Sequence, residues 1–117
     1  KRPRQEFINS STKEYKYANY MDVWRRKIEH VGTKFYQNNF KGISGSVVLE
    51  VAIKANGTIH NIEITTPSNH NELDKAALDI VHLALPFEAF PQEISKEVDI
   101  LHITRTWVFN YDDLSSH

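Results

Sequence analysis

The sequence of 117 residues contains no cysteine and no long apolar run. The missing cysteine excludes disulfides, thiolate metal sites and cysteine nucleophiles, and it fits an oxidising or a reducing compartment equally well. No run approaches the roughly 18 apolar residues that a membrane-spanning helix needs. The first residues also lack the basic-then-apolar order of a secretory signal peptide. Because the sequence begins with Lys1 rather than Met, we expect it to be a piece of a longer protein.

An excess of positive charge is also missing. The formal net charge is −1, and the lysines and arginines are scattered apart from two short clusters at residues 1–4 and 25–27. Nucleic-acid binding relies on a basic surface, so we expect no nucleic-acid partner. Hydrophobic residues make up 40% of the chain and charged residues 25%. These are ordinary values for a soluble globular chain, and the length suits one domain.

Motifs for metal binding and catalysis are absent as well. The six histidines show neither His-x-His nor His-x-x-x-His spacing, which metal sites on strands and helices commonly use. Glu72, Asp74 and Asp79 lie close to Ser68 in sequence, but no Gly-rich phosphate loop, nucleophile elbow or base with an orienting partner accompanies them. We therefore expect no metal, no cofactor and no enzymatic activity.

The first part of the chain predicts a linker followed by a helix. Residues 1–10 are mostly polar and show no period, which is typical of the end of a linker. Ser11 and Glu14 have the spacing of a capping box, so the helix is predicted to begin there. Gly32 is predicted to end it in a left-handed conformation. The apolar stripe of this helix is Tyr17, Met21, Trp24, Ile28 and Val31.

A loop and a hairpin are predicted next. Residues 33–44 show no period, so we expect a loop that Phe35, Tyr36 and Phe40 anchor to the domain. In "GSVVLEVAIKANGTIHNIEIT" apolar and polar residues alternate on both sides of Asn56-Gly57. An Asn-Gly pair tolerates the positive φ angles of a type I′ turn, so this stretch predicts a β-hairpin.

The rest of the chain predicts a second helix and a last strand. The helix has an inward face and ends at Pro86; "PFEAFP" is expected to form a rigid crossing segment. The inward face comprises Leu73, Ala76, Ala77, Ile80, Val81 and Ala84. The last strand, "DILHITRTWVF", carries Arg105 within an otherwise apolar row. Residues 111–117 are expected to form a flexible tail.

This order predicts an α+β domain over residues 11–110. The elements follow as helix, strand, strand, helix, strand. The right-handed crossover rule places the third strand beside the first, giving a three-stranded antiparallel sheet of order 2-1-3 with both helices on one face. The last strand is therefore predicted to lie at an edge.

Four stretches in this order resemble the C-terminal domain of TonB-family energy transducers over about residues 17–109. They are "YANYMDVWRRKIEHVG", "GSVVLEVAIKANGTIHNIEIT", "LDKAALDIVHLALPFEAFP" and "DILHITRTWVF". The resemblance implies a periplasmic domain whose inner-membrane helix and proline-rich spacer precede this sequence. It also implies that an ExbB–ExbD motor supplies proton-motive-force energy, which the protein delivers to outer-membrane transporters of siderophores or vitamin B12-like ligands.

The resemblance implies that the domain contacts a transporter through the TonB box, a short transporter peptide that adds as a strand to the domain's last strand. It implies a docking strand and a docking loop in this chain. The implied docking strand comprises Ile100, Leu101, His102, Ile103, Thr104, Arg105, Thr106, Trp107, Val108 and Phe109. The implied docking loop is Thr33 to Gln37, with Thr33, Tyr36 and Gln37 as contacts.

An exposed strand edge favours such docking, because its free N–H and C=O groups can bind a peptide main chain. The hypothesis requires one flank of the last strand to be free. In the alternative, Arg105 protects the edge, and the tail 110–117 or a second copy of the chain covers it. Trp24 fits the core, whereas Trp107 fits the core and a partner contact about equally well. A TolA-like envelope tether, a structural dimerisation module and a homodimer of the isolated domain remain open.

Overall fold

The computed structural model describes residues 2–39, 43–110 and 113–117. Over these ranges it contains five strands and three helices. In chain order they are β1 Gln5–Asn9, α1 Tyr15–Asn39, β2 Gly45–Lys54, β3 Ile59–Thr66, α2 Asn71–Ala84, α3 Gln92–Ser95, β4 Ile100–Asn110 and β5 Asp113–Ser116. The mixed α+β class is therefore confirmed. None of the helices in these ranges is long and apolar enough to cross a membrane.

The strands form one mixed sheet in the order β1-β4-β2-β3, and β5 pairs with β4 as well. Strand β2 runs antiparallel to β3 and to β4, whereas β1 runs parallel to β4. The predicted strands are neighbours in the order β3-β2-β4, but the predicted three-stranded antiparallel sheet is wrong because β1 and β5 enlarge it. Strand β4 is consequently not an edge strand.

Both ends of the described chain contribute strands where irregular segments were expected. Within residues 1–10, Gln5–Asn9 form β1, and within residues 111–117, Asp113–Ser116 form β5. In β1 the one buried side chain is Ile8, so the strand has no alternating pattern to reveal it. Main-chain pairing to β4 orders these short segments, and a hydrophobic period does not report such pairing.

Helix α1 begins later and ends later than predicted. Ser11 lies in a turn, where its N–H donates to Asn9 Oδ1 at 2.8 Å, so the predicted capping box is wrong. The helix continues through Gly32, which is buried. A Cβ atom at Gly32 would overlap Leu114 Cδ2. This glycine therefore makes room for β5 instead of ending the helix.

The β2–β3 hairpin is confirmed, but its turn differs from type I′. The φ angle is positive at Gly57, at 88°, and not at Asn56. The N–H of Lys54 donates to Thr58 O at 2.8 Å, and the N–H of Gly57 donates to Lys54 O at 2.8 Å. These bonds define a three-residue loop in which Gly57 takes the left-handed position.

The core lies between the helices and one face of the sheet, and α1 and α2 pack against each other there. All six residues predicted for the inward face of α2 are buried, and so are Trp24 and Trp107. The buried side chains on the helix-facing side of the central strands are Val47, Leu49, Val51 and Ile53 on β2 and Leu101, Ile103, Trp107 and Phe109 on β4. Arg105 lies in this helix-facing row of β4, because side chains alternate along a strand.

Candidate functional site: the flanks of strand β4

Strand β4, which carries the predicted docking residues, has a partner on each flank. On one flank it pairs with β2 from Ile100 to Phe109. On the other flank β1 pairs with residues 100–104 and β5 with residues 107–110. The prediction that β4 has a free flank is therefore wrong for this structure. The alternative in which the C-terminal tail covers the edge is confirmed for the second half of the strand.

The β1 half of this flank holds one buried apolar contact. Ile8 is opposite Ile103 and is 2% exposed, so its side chain is part of the core. The other β1 side chains are exposed. Strand β1 thus contributes one side chain to the core.

His102 forms the polar contact of this half. It is 8% exposed, and its Nδ1 lies 2.9 Å from Glu50 Oε1. A carboxylate accepts hydrogen bonds, so Nδ1–H donates to Glu50. The Nε2 atom lies 2.6 Å from Gln5 Oε1, and an amide can turn over to accept or to donate. The ring of Phe7 stacks on the imidazole with centroids 4.1 Å apart.

Arg4 fixes the start of β1. Its guanidinium donates from Nε and Nη2 to the carboxylate of Asp99 at 3.1 and 2.9 Å, and from Nη1 to Lys96 O at 2.6 Å. The Arg4 carbonyl in turn accepts from the N–H groups of Asp99 and Ile100. The hydrogen bond to Asp99 raises the pKa of Arg4. Because this ion pair is exposed, it contributes little stability. Its main effect is to fix the direction and register of β1 beside β4.

The β5 half of the flank is held by side chains from α1 and β4. Leu114 packs into the space at Gly32, and its N–H donates to Thr33 Oγ1 at 3.2 Å. The N–H of Ser116 donates to Glu29 Oε2 at 2.8 Å, and Arg105 Nη2 donates to Ser116 O at 3.3 Å. These contacts join β5 to α1 as well as to β4.

Arg105 lies at the junction of the two halves, between the ends of the β1 and β5 pairings. Burial lowers the pKa of its guanidinium; Arg25 acts in the same direction and Glu29 opposes them. Its Nε atom has no hydrogen-bond partner within the described ranges. The charged residue in the apolar row is therefore a partly buried contact of β5.

The predicted docking loop is helical instead. Thr33, Tyr36 and Gln37 belong to the last turns of α1, so the predicted loop is wrong. Tyr36 is fully buried, with its ring centroid 5.3 Å from that of Phe109, whereas Gln37 is exposed. The helix continues through Gly32, where the absence of a side chain leaves room for Leu114. Phe40, the third predicted anchor, lies outside the described residues.

Sequence reasoning missed the contacts that β1 brings to this flank. Arg4, Gln5, Phe7 and Ile8 precede the first predicted element, and the adjacent apolar pair Phe7-Ile8 is the one local signal of a strand. In the part of the chain that the structure describes, no three or more His, Asp or Glu side chains form a group that could hold a metal ion.

A model of one protein family, described as the Gram-negative bacterial TonB protein C-terminal, matches residues 38–111 of the chain. The match runs from the end of α1 through β4 and does not include β1 or β5. Comparisons with curated proteins and with solved structures gave no match. Because the family model covers more than half of the sequence, the chain belongs to this family of TonB-like energy-transducer domains, which act in the Gram-negative periplasm and interact with outer-membrane transporters.

Proposed function

We propose that this domain docks the TonB box of outer-membrane transporters by strand addition to β4, and that the peptide takes the place of β1 beside residues 100–104. The role is transmission of proton-motive-force energy for the uptake of siderophores or vitamin B12-like ligands, without enzymatic activity. In this proposal ExbB and ExbD supply the energy through an N-terminal part that precedes the sequence. That part also anchors the protein in the inner membrane.

The observation that supports this site is the way in which β1 is bound. It is a five-residue strand with one buried side chain, and it pairs with β4 in parallel. An incoming peptide can form the same main-chain bonds while β2 holds β4 in place on the other flank. Exchange of one short strand for another removes one side chain, Ile8, from the core, and an apolar side chain of the peptide can take its place.

The β5 half is the poorer place for such an exchange. Removal of β5 would expose Leu114, which is 3% exposed, and would break the contacts with Thr33, Glu29 and Arg105. Burial of one leucine side chain contributes about 1.5–3 kcal/mol. Strand β1 has a comparable apolar anchor in Ile8, but the main-chain N–H of Asn9 at its end donates to Thr12 Oγ1, which lies outside α1.

Exchange also accounts for a weak and reversible contact. Four or five main-chain hydrogen bonds at about 1 kcal/mol each hold a strand of this length. A peptide that replaces β1 gains bonds that β1 loses. Its apparent affinity is therefore its affinity for the open flank multiplied by the fraction of chains in which the flank is open. A pull along the strand loads all of these bonds in shear at once, so modest affinity is compatible with transmission of force.

The proposal is tested by titration of the ¹⁵N-labelled 117-residue chain with a TonB-box peptide. We expect the largest amide shifts at residues 5–9 and 99–104, since β1 leaves as the peptide binds. Shifts confined to β3, which pairs on one flank alone among the described residues, would move the docking site to that edge. Absence of binding would contradict the transducer role and favour a TolA-like tether or a dimerisation module. A homodimer would compete for the same flank.

A further inference from the structure

The contacts of β1 also describe the side chains that the β4 flank accepts. We infer that the partner is an extended peptide with an aromatic residue at the Phe7 position, followed directly by a branched aliphatic residue at the Ile8 position. An amide at the Gln5 position and a cation at the Arg4 position complete the pattern. This inference rests on the proposed function, in which a peptide takes the place of β1.

The Ile8 position requires an apolar side chain. Ile8 is opposite Ile103 and belongs to the core cluster formed by the helix-facing side of the sheet. A polar residue there would be buried without a hydrogen-bond partner, which is unfavourable. This position therefore discriminates by hydrophobicity, and a branched aliphatic side chain fits the volume that Ile8 fills.

His102 contacts the side chains at the Phe7 and Gln5 positions, on the face of the sheet away from the helices. Glu50 on β2 holds the imidazole through Nδ1, so the ring keeps its orientation without β1. Its face contacts an aromatic ring at a centroid distance of 4.1 Å and an interplanar angle of 16°. Phe7 is 64% exposed, so the selectivity at this position comes from ring stacking and not from burial.

Asp99 sets the direction of the peptide. The Arg4 guanidinium binds Asp99 and the carbonyl groups of Ser95 and Lys96, all at the end of the flank where β4 begins. A peptide in the opposite direction would place its cation near Thr104, at the far end of the flank. A cation ahead of the apolar pair therefore favours the parallel orientation.

Two facts indicate that the flank that receives β1 is part of the family domain, whereas β1 itself is not. Residues 99–104 lie within the segment that matches the family model, whereas β1 does not. In addition, Glu50 orients His102 from inside the matched segment. The receiving surface thus belongs to the family domain, and β1 occupies it as an intramolecular ligand.

The test uses the full 117-residue chain and a synthetic peptide with the sequence of residues 4–9, RQEFIN. Ile8→Ala in the chain weakens the intramolecular strand, and Ile64→Ala on β3 is the matched control. We expect the peptide to bind the Ile8→Ala chain at least about tenfold more tightly than the unaltered chain, because the flank is open more often. The control should bind like the unaltered chain. Arg4→Ala is a second weakening variant: it removes the guanidinium contacts with Asp99, Ser95 and Lys96 and alters no core side chain.

Peptide variants then test the selectivity on the opened chain. In the peptide, Phe7→Ala should weaken binding by about two- to tenfold, because ring stacking is lost, and Ile8→Asp should weaken it by about tenfold or more, because a charge would be buried. With His102→Ala in the chain, we expect the loss from Phe7→Ala to disappear while the loss from Ile8→Asp remains. That pattern separates ring stacking on His102 from a general loss of structure.

The outcomes separate this inference from the proposed function. Equal binding of RQEFIN and of a scrambled peptide would overturn the inference, and the proposed function would stand if a TonB-box peptide still shifted residues 100–104. Absence of RQEFIN binding to both the Ile8→Ala and the Arg4→Ala chains would also overturn it. Selective binding of RQEFIN without binding of a TonB-box peptide would support the inference and contradict the transporter role.

Discussion

The hairpin loop gives the sharpest stability prediction. Gly57 has a φ angle of 88°, and a Cβ atom there would overlap the Phe87 carbonyl oxygen. Its own carbonyl accepts from the N–H of Phe87 at 3.0 Å. Gly57→Ala therefore places a side chain in an unfavourable backbone region and forces the crossing segment away from the hairpin.

The expected cost follows from these two effects. A left-handed conformation costs a residue other than glycine about 1–2 kcal/mol. Loss of the hydrogen bond from Phe87 costs about 1–2 kcal/mol more. We expect the free energy of unfolding to fall by roughly 2–4 kcal/mol and the melting temperature by about 8–16 °C.

Urea denaturation followed by circular dichroism measures this change. Asn56→Ala is the matched control, because it removes the hydrogen bonds that Asn56 accepts from Thr58 but requires no positive φ. We expect the control to lose about 0.5–1 kcal/mol. A loss below about 1 kcal/mol for Gly57→Ala would refute the reasoning, since the left-handed conformation alone accounts for that much.

Three further predictions concern the strands beside β4 and the surface. Arg105→Met should leave global stability unchanged or raise it by about 1 kcal/mol, because it removes a partly buried charge, while hydrogen exchange of β5 becomes faster; slower exchange there would contradict the role of Arg105. Asp99→Asn should weaken the contact with Arg4 and accelerate amide hydrogen exchange in β1 but not in β5. Equal acceleration in both strands would contradict the role of Asp99 in holding β1. The hydrogen bond from Lys16 lowers the pKa of Glu97 below its ordinary value of 4.5, so the stability from this pair is present above pH 4.5 and is lost as the pH falls through the lowered pKa. Lys16→Ala should therefore reduce the loss of stability as the pH falls below 4.5. A dependence of stability on pH equal to that of the unaltered chain would contradict the role of this pair.

Long periodic elements were predictable from the sequence, because burial of a face leaves a period. Helix α2 is the clearest case: all six predicted inward residues are buried, and it ends at Ala84, shortly before Pro86. The hairpin and β4 were predictable for the same reason. The family resemblance agrees with the match of residues 38–111.

Features that depend on main-chain pairing or on a distant neighbour could not be predicted. Strand β1 has one buried side chain, so its pairing with β4 leaves no pattern. Gly32 continues a helix because Leu114 packs against it, and this contact joins residues far apart in sequence. Strand β4 was wrongly predicted to lie at an edge because the sequence did not predict β1 and β5, which cover its other flank.

The central claim is that residues 100–104 of β4 exchange β1 for a partner peptide. Because the sequence contains no cysteine, single cysteines can report the site by disulfide cross-linking to a TonB-box peptide with a C-terminal cysteine. Thr104→Cys lies opposite Asn9, at the end of the flank, and Thr65→Cys on β3 tests the other edge of the sheet. We predict rapid cross-linking at position 104, accelerated further by Ile8→Ala, and slow cross-linking at position 65. Preferential cross-linking at position 65, or a rate at position 104 that Ile8→Ala leaves unchanged, would contradict the claim.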